Sequence, residues 1–288
     1  MNTRDVFAGL FAIALVAATG TRIEARQNYQ PDPELEALHV PFDAILDMYV
    51  RDGFVYYRAL QADRAALARY LGLLGSTSAG EVGSWSAAKQ IAFWINAYNA
   101  FMLQTVLSHY PIRGTSKAYP SNSVRQIPGA FDQIKHFAGG RSLTLDQIEN
   151  VVLGAYNDPR VYLVLGRGAV GSGRLRSEAF GGARLEQQLA QSAQQFATSP
   201  HYLRIDQLGG KVEVGPILSW RAPAFVAAFA GSAYDLPGRT PIELAVIGFV
   251  RPYLLPAEET FIKKNTFQLA YRDLDWRLND LTGGRPDK

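Results

Sequence analysis

The stretch from Ser84 to Tyr110 leaves a chain like this little latitude. Its middle, Ile91-Ala92-Phe93-Trp94-Ile95-Asn96-Ala97-Tyr98-Asn99-Ala100-Phe101-Met102-Leu103, puts apolar residues on every face of a helix. Such a helix has to be surrounded by protein rather than laid on a surface. Ser84 and Ser86 both stand where an N-cap is needed, and Pro111 stops the helix. Asn96 and Asn99 interrupt the apolar run. Asparagine is a poor helix former, and an unpaired buried amide costs about 1 to 3 kcal/mol. Three residues apart, the two share a face and imply a buried polar network. The network either holds neighbouring backbone in place or lines a ligand pocket, and the structural role is the preferred reading.

The flanking sequence supplies the other parts of a fold. Residues 42–50 read as a helix, Asp52-Gly53 as a turn and Phe54-Val55-Tyr56-Tyr57 as a short strand. Residues 64–74 repeat Leu67, Tyr70, Leu71 and Leu74 at helical spacing, and the run Gly75 to Gly80 breaks that pattern. Thr144 caps a helix running to Tyr156, ended by Asp158-Pro159. Val161-Tyr162-Leu163-Val164-Leu165 has the composition of a buried central strand. After a glycine-rich loop come an amphipathic helix marked by Leu185, Leu189, Ala193 and Phe196, and a hairpin of residues 202–206 and 211–214 about Gly209-Gly210. Two more helices follow, the second opening on Thr240-Pro241-Ile242-Glu243, and residues 267–271 close the domain as a strand. The expected class is α+β, with several helices around a small mixed or antiparallel sheet and one long buried central helix over residues 84–110.

The N-terminus reads as a leader. A short basic start at Arg4 is followed, past Asp5, by the thirteen apolar residues Val6 to Ala18, and then by small residues at Thr19-Gly20-Thr21 and a second cleavage candidate after Ala25. Thirteen residues fall short of the roughly 20 that span a bilayer, so a cleaved signal peptide over residues 1–25 is expected, with an uncleaved anchor as the alternative. Residues 26–40 read as a polar linker, 41–282 as a single domain and 283–288 as a tail. The expected location is periplasmic or extracellular. No later apolar window is long enough to cross a membrane. The formal net charge is +3 with basic residues scattered, which does not ask for nucleic acid as partner. There is no cysteine, which excludes disulfides, thiolate metal sites and a bacterial lipid anchor, and leaves stability to a core that about 260 residues can build. No metal and no cofactor is expected.

Gly166-Arg167-Gly168-Ala169-Val170-Gly171 matches the dinucleotide fingerprint G-x-G-x-x-G, with Glu186 twenty residues beyond the first glycine. The third glycine should open an apolar helix, yet residues 172–177 still read as loop, so a glycine-rich loop packed against its neighbours is expected instead.

Several motifs carry a resemblance. They are Val55-Tyr56-Tyr57 with Leu60, Ala92 to Ala100, His109-Tyr110-Pro111, Leu145-Asp146-Gln147-Ile148-Glu149, Asp158-Pro159-Arg160-Val161, Leu218-Ser219-Trp220 and Asp275-Trp276-Arg277-Leu278-Asn279. In this order, over roughly residues 45–280, the chain resembles the family called domain of unknown function 547. The resemblance implies histidine at two positions and cysteine at two more, and here those places hold Asn150, Tyr162, Arg167 and Ser172. In a member carrying them, cysteine and histidine near a glutamate would imply a thiol nucleophile or a metal site. Here Tyr162, with an ordinary pKa of about 10, is no base near neutral pH, and Arg167 is permanently cationic.

Two functions stay open. In the first, the protein is a non-catalytic envelope binding or scaffolding member, with a cleft at Asn96, Asn99, Glu149, Tyr162 and Arg167. Its Arg167, Arg174 and Arg176 would make an anion-binding loop for a small molecule, glycan or peptide. In the second it is a hydrolase or acyl-transfer enzyme with Ser172 as nucleophile, assisted by Glu149 or His136.

Overall fold

The computed structural model describes residues 29–30, 32–233 and 235–282. The expected leader and the C-terminal tail lie outside the described residues.

The central helix is Ala87–His109. Ser86 caps it, its side chain accepting from the Lys89 N–H at 3.3 Å, while Ser84 ends the short helix Ala79–Gly83 before it. Every residue from Ile91 to Leu103 is buried, as expected of a helix with no polar face. Around it pack Tyr57–Ala62, Arg64–Ser76, the helical stretch from residue 145 to 153, and Leu185–Thr198. The helices Val40–Tyr49 and Arg64–Ser76 meet through Phe42 and Tyr70, whose rings stack at 4.8 Å. A second aromatic group, Phe196, Phe225, Phe229 and Phe249, joins Leu185–Thr198 to Ala222–Phe229 and Pro241–Val250. The last of these helices opens on the Thr240/Glu243 capping box with Pro241 in its first turn.

The strands make three small sheets. β1 (Val50–Arg51) and β2 (Phe54–Val55) pair antiparallel, as do β3 (His136–Ala138) and β4 (Arg141–Leu143). β5 (Leu203–Asp206) pairs antiparallel with β6 (Lys211–Val214), and β6 pairs parallel with β7 (Gln268–Tyr271). The α+β class holds, and the sheets are small as expected.

One element differs. Residues Pro159–Leu163 form a 3₁₀ helix and not a strand. Asp158 caps this turn, its carboxylate accepting from the Arg160 N–H at 3.0 Å, and Pro159 stands in the first turn. A short, wholly buried run has the same apolar signature in either geometry, so periodicity alone could not separate them. The helix after Thr144 also departs from regularity. Leu145–Gln147 opens on a Thr144/Gln147 capping box, then widens to a π turn over Ile148–Leu153 and tightens to 3₁₀ at Gly154–Tyr156. The polar stretch before residue 40 packs on the domain: the Glu36 carboxylate accepts from the Gly182 N–H, and His39 is buried, its Nδ1 2.9 Å from the Tyr70 hydroxyl.

Candidate functional site

The two asparagines of the central helix are backbone clamps. Asn96 donates from Nδ2 to the Phe180 carbonyl at 2.8 Å and accepts the Phe180 N–H on Oδ1 at 2.9 Å. Asn99 donates to the Val164 carbonyl at 3.1 Å and accepts from the Gly166 N–H at 2.8 Å. Asn96 thus fixes the loop segment at Phe180, and Asn99 the start of the glycine-rich loop that precedes it. Within the glycine-rich loop Gly168 holds φ at +64°, and a Cβ on Gly173 would stand 2.5 Å from the Leu163 carbonyl oxygen. The loop is tight, and the next helix starts only at Leu185.

Asn99 holds the start of the loop beside the π turn, and there the charged residues meet. Glu149, 2% exposed, accepts on one oxygen from Arg167 Nη2 at 2.5 Å and from Arg221 Nη2 at 2.5 Å and Nε at 3.1 Å. Tyr98 donates its hydroxyl to the other oxygen at 3.4 Å. Arg167, 4% exposed, also donates to the Tyr162 and Leu165 carbonyls at 3.4 and 3.3 Å. The Arg221 guanidinium lies 5.2 Å from the Tyr162 ring centre. Burial alone would raise the Glu149 carboxyl pKa, but the two guanidiniums outweigh it and hold the group below the usual carboxylate range. Burial, aided by Glu149, pushes the Tyr98 hydroxyl well above its ordinary value, and burial also raises Tyr162. At neutral pH the centre therefore comprises one carboxylate, two cations and two neutral phenols.

Of the residues singled out in the sequence, Glu149, Tyr162 and Arg167 come together here. Asn99 stands one shell behind them and Asn96 binds a different loop. Asn150 follows Glu149 but turns to solvent. Arg174 pairs with Asp52 at 2.8 Å, and Arg176 pairs with Glu178 and reaches Gln191 at 2.9 Å. All three loop arginines thus have carboxylate partners within the chain, and they do not converge on one anion site. The Ser172 hydroxyl donates to the Ala169 carbonyl at 2.8 Å and accepts from the Arg167 N–H at 3.1 Å. None of its hydrogen bonds reaches a titratable side chain or either proposed assistant. His136 stacks on Phe101 at 4.5 Å, and its buried Nε2 has no hydrogen-bond partner. Among the described residues, no group of three or more His, Asp or Glu is placed to hold a metal. No helix among them is long and apolar enough to cross a membrane.

The family model described as protein of unknown function, DUF547, matches residues 82–197. Residues 82–197 belong to the DUF547 family. This span takes in both clamping asparagines, the π turn, Tyr162 and the whole glycine-rich loop. The motifs at Leu60, Leu218 to Trp220 and Asp275 to Asn279 lie outside it, although the structure folds them onto the DUF547 segment. Val170 N–H donates to the Arg277 carbonyl, and Gly171 N–H to that of Asp275, both at 2.9 Å. No curated protein and no solved structure matches the chain. Arg221, which completes the Glu149 centre, was not found from the sequence: it stands 72 residues along the chain, and its only signal is its place directly after Leu218-Ser219-Trp220.

Burial also gives the protein an acid limit. It lowers the His39 imidazole to about 3 and that of His136 to about 4, from an ordinary 6.5. An unfolded chain would protonate both near 6.5 while the fold holds them neutral. Their contribution is thus complete above 6.5 and is lost as pH falls from there to about 4 for His136 and about 3 for His39. Urea unfolding at pH 7, 6 and 5 should show stability falling by about 1 kcal/mol per histidine between pH 6 and 5. A His136→Phe variant should show a shallower fall, and an unchanged slope would count against a neutral buried imidazole.

Proposed function

We propose that this protein is an exported, non-catalytic binding or scaffolding member of its family. The observation that carries this reading is the state of the Glu149 centre. A guanidinium that cannot lose its proton near neutral pH fills the space beside the carboxylate, and the carboxylate is held ionised by two such cations, so neither group is poised to take up or release a proton. Arg167 is fixed by three acceptors, so it acts as a strut. Export is supported by the leader, with its basic start and thirteen-residue apolar run.

One observation favours the alternative, a serine hydrolase: Ser172 and His201 line the same cavity of about 270 Å³. His201 Nε2, however, lies 3.1 Å from the Val170 carbonyl, an acceptor only, so this nitrogen carries a proton there and is not a base toward serine. A single experiment addresses both parts. The full chain is expressed in a bacterial host, fractionated, and treated with a fluorophosphonate probe. The expected outcome is a shortened, exported protein that takes no label above background. Labelling that disappears in Ser172→Ala would establish the hydrolase, and full-length protein confined to the cytoplasm would overturn export.

A further inference from the structure

The Glu149 centre opens to the surface through Arg221, whose side chain is 26% exposed. The residue before it, Trp220, is 43% exposed, although an indole is among the side chains that gain most from burial. Trp220 stacks on Trp276, with ring centres 6.3 Å apart and planes 20° apart. Trp276 in turn meets Tyr119 at 6.0 Å and Phe131 at 6.2 Å, both edge to face. Arg125 lies over this group, its guanidinium carbon 4.4 Å from the Trp276 ring centre and 4.8 Å from that of Phe131. Four aromatic residues from three stretches of chain thus build one platform, with Phe131 buried beneath it and Trp220 exposed at the surface.

Its polar groups are only partly committed. The Arg125 guanidinium makes no hydrogen bond or ion pair among the described residues, and the aromatic rings are its packing partners. The half-buried Asp146 carboxylate accepts no hydrogen bond there either. Asp146 is tied to the platform by its N–H, which donates to the Phe131 carbonyl at 2.9 Å; burial and the like charges of Glu149 and Asp132 raise its carboxyl pKa, and the cations Arg125 and Arg221 oppose them. Arg221 uses Nε and Nη2 on Glu149 and leaves Nη1 free of any such contact.

A ligand for this platform needs an apolar face to lie on indole, hydroxyls to give to a carboxylate, and an anionic group to take from a guanidinium. A pyranose ring bearing a carboxylate has all three. Its axial C–H bonds form an apolar face, its vicinal hydroxyls donate to carboxylate oxygens, and guanidinium binds carboxylate through paired N–H donors. The whole Arg125 guanidinium and the Nη1 of Arg221, set against the Asp146 carboxylate, favour an acidic sugar over a neutral one. Nucleic acid fits less well, because basic residues are not gathered into runs along the chain. We infer that the surface formed by Trp220, Trp276, Arg125, Asp146 and Arg221 is a binding site for an acidic oligosaccharide of the uronic-acid type.

The inference rests on the binding reading above. Serine labelling would overturn that reading without altering sugar affinity, and absent sugar affinity would overturn only this inference. The test is titration of the full chain with an oligogalacturonate, followed by tryptophan fluorescence, with a neutral cello-oligosaccharide and polyglutamate in parallel. Saturable quenching by the oligogalacturonate is expected, with weaker binding of both comparison ligands. Trp220→Ala should weaken binding roughly tenfold through lost stacking, and Arg125→Ala also roughly tenfold through a lost charge-assisted hydrogen bond. Both replaced side chains are at the surface, and unchanged urea midpoints would show that the fold is kept. No saturable signal, equal binding of polyglutamate, equal binding of the neutral sugar, or affinity unchanged in Trp220→Ala would each overturn the site. Preference for a proline-rich peptide over the oligogalacturonate would do the same and would assign the platform to extended peptide instead.

Discussion

Replacing Glu149 with leucine should destabilise the protein by roughly 3 to 5 kcal/mol, the range found when one partner of a buried ion pair is removed. Arg167 is 4% exposed and cannot shed its charge at any pH the fold survives. Without Glu149 its remaining acceptors are the Tyr162 and Leu165 carbonyls, at 3.4 and 3.3 Å, which offer partial charges only. Arg221 is partly exposed and can turn to water, so the damage should concentrate on Arg167. Two variants separate lost packing from stranded charge. Glu149→Gln preserves the shape and should still lose most of this stability, because an amide cannot neutralise the guanidinium. Glu149→Leu combined with Arg167→Met removes the charge with its partner and should recover much of the loss, since buried ion pairs are often replaced by apolar groups with little penalty. Urea midpoints at pH 7 provide the measurement, and the single variants should also melt on the order of 10 °C lower. A double variant no more stable than Glu149→Leu alone would show that shape, not charge, holds this centre.

The sign of the pH dependence at Glu149 agrees with the histidines. Its folded pKa is depressed, so its contribution is present above the ordinary carboxylate value and is lost as pH falls through the lower folded one. The buried imidazoles are lost at higher pH, starting near 6.5. Acid should therefore weaken the fold in two stages, histidines first and the ionic centre later.

How much of this was legible in the sequence depends on the kind of signal each part leaves. The central helix was legible almost to the residue, because an apolar pattern filling every face leaves one class of environment open. The Thr144 and Thr240 caps were legible for a similar reason, each being a local motif whose hydrogen bonds close within three residues. Val161 to Leu165 was misread as a strand because five buried apolar residues record burial and not geometry. What decided that geometry was Asp158 and Pro159 just upstream, a cap and a first-turn proline. Tyr162 and Arg167 were singled out only through resemblance, and their meeting with Glu149 depends on a π turn that no periodicity announces. Arg221, Arg125 and the two stacked indoles were not legible as a group. Their proximity is set by how the chain after residue 197 folds back across the DUF547 segment, and a contact between distant residues leaves no mark in local spacing.

The asparagine clamps were foreseen as a buried network, and they carry the second large effect. Asn96→Leu should cost roughly 2 to 5 kcal/mol, because it strands both the N–H and the carbonyl of Phe180, each costing about 1 to 3 kcal/mol when left unpaired. Phe180 is buried, so water cannot readily replace the lost partner. Asn96→Asp discriminates further. Its oxygen still accepts the Phe180 N–H, but where the amide donated to the Phe180 carbonyl a second oxygen now faces it, so the variant must either bury a charge or take up a proton. It should therefore be weakest at neutral pH and recover in mild acid, although the histidines destabilise the parent over the same range. The comparison must accordingly be made with the parent protein at each pH. Hydrogen exchange gives the local readout: in Asn96→Leu the amides of Ala179 and Phe180 should lose protection, while those of β5 and β6 keep theirs. Asn99→Leu should have the complementary effect, exposing the Gly166 amide and loosening the strut that holds Arg167 against Glu149. If Phe180 keeps full protection in Asn96→Leu, the central helix does not hold that loop, and another contact, such as the Asp43 carboxylate on the Ala179 N–H at 2.7 Å, carries it instead.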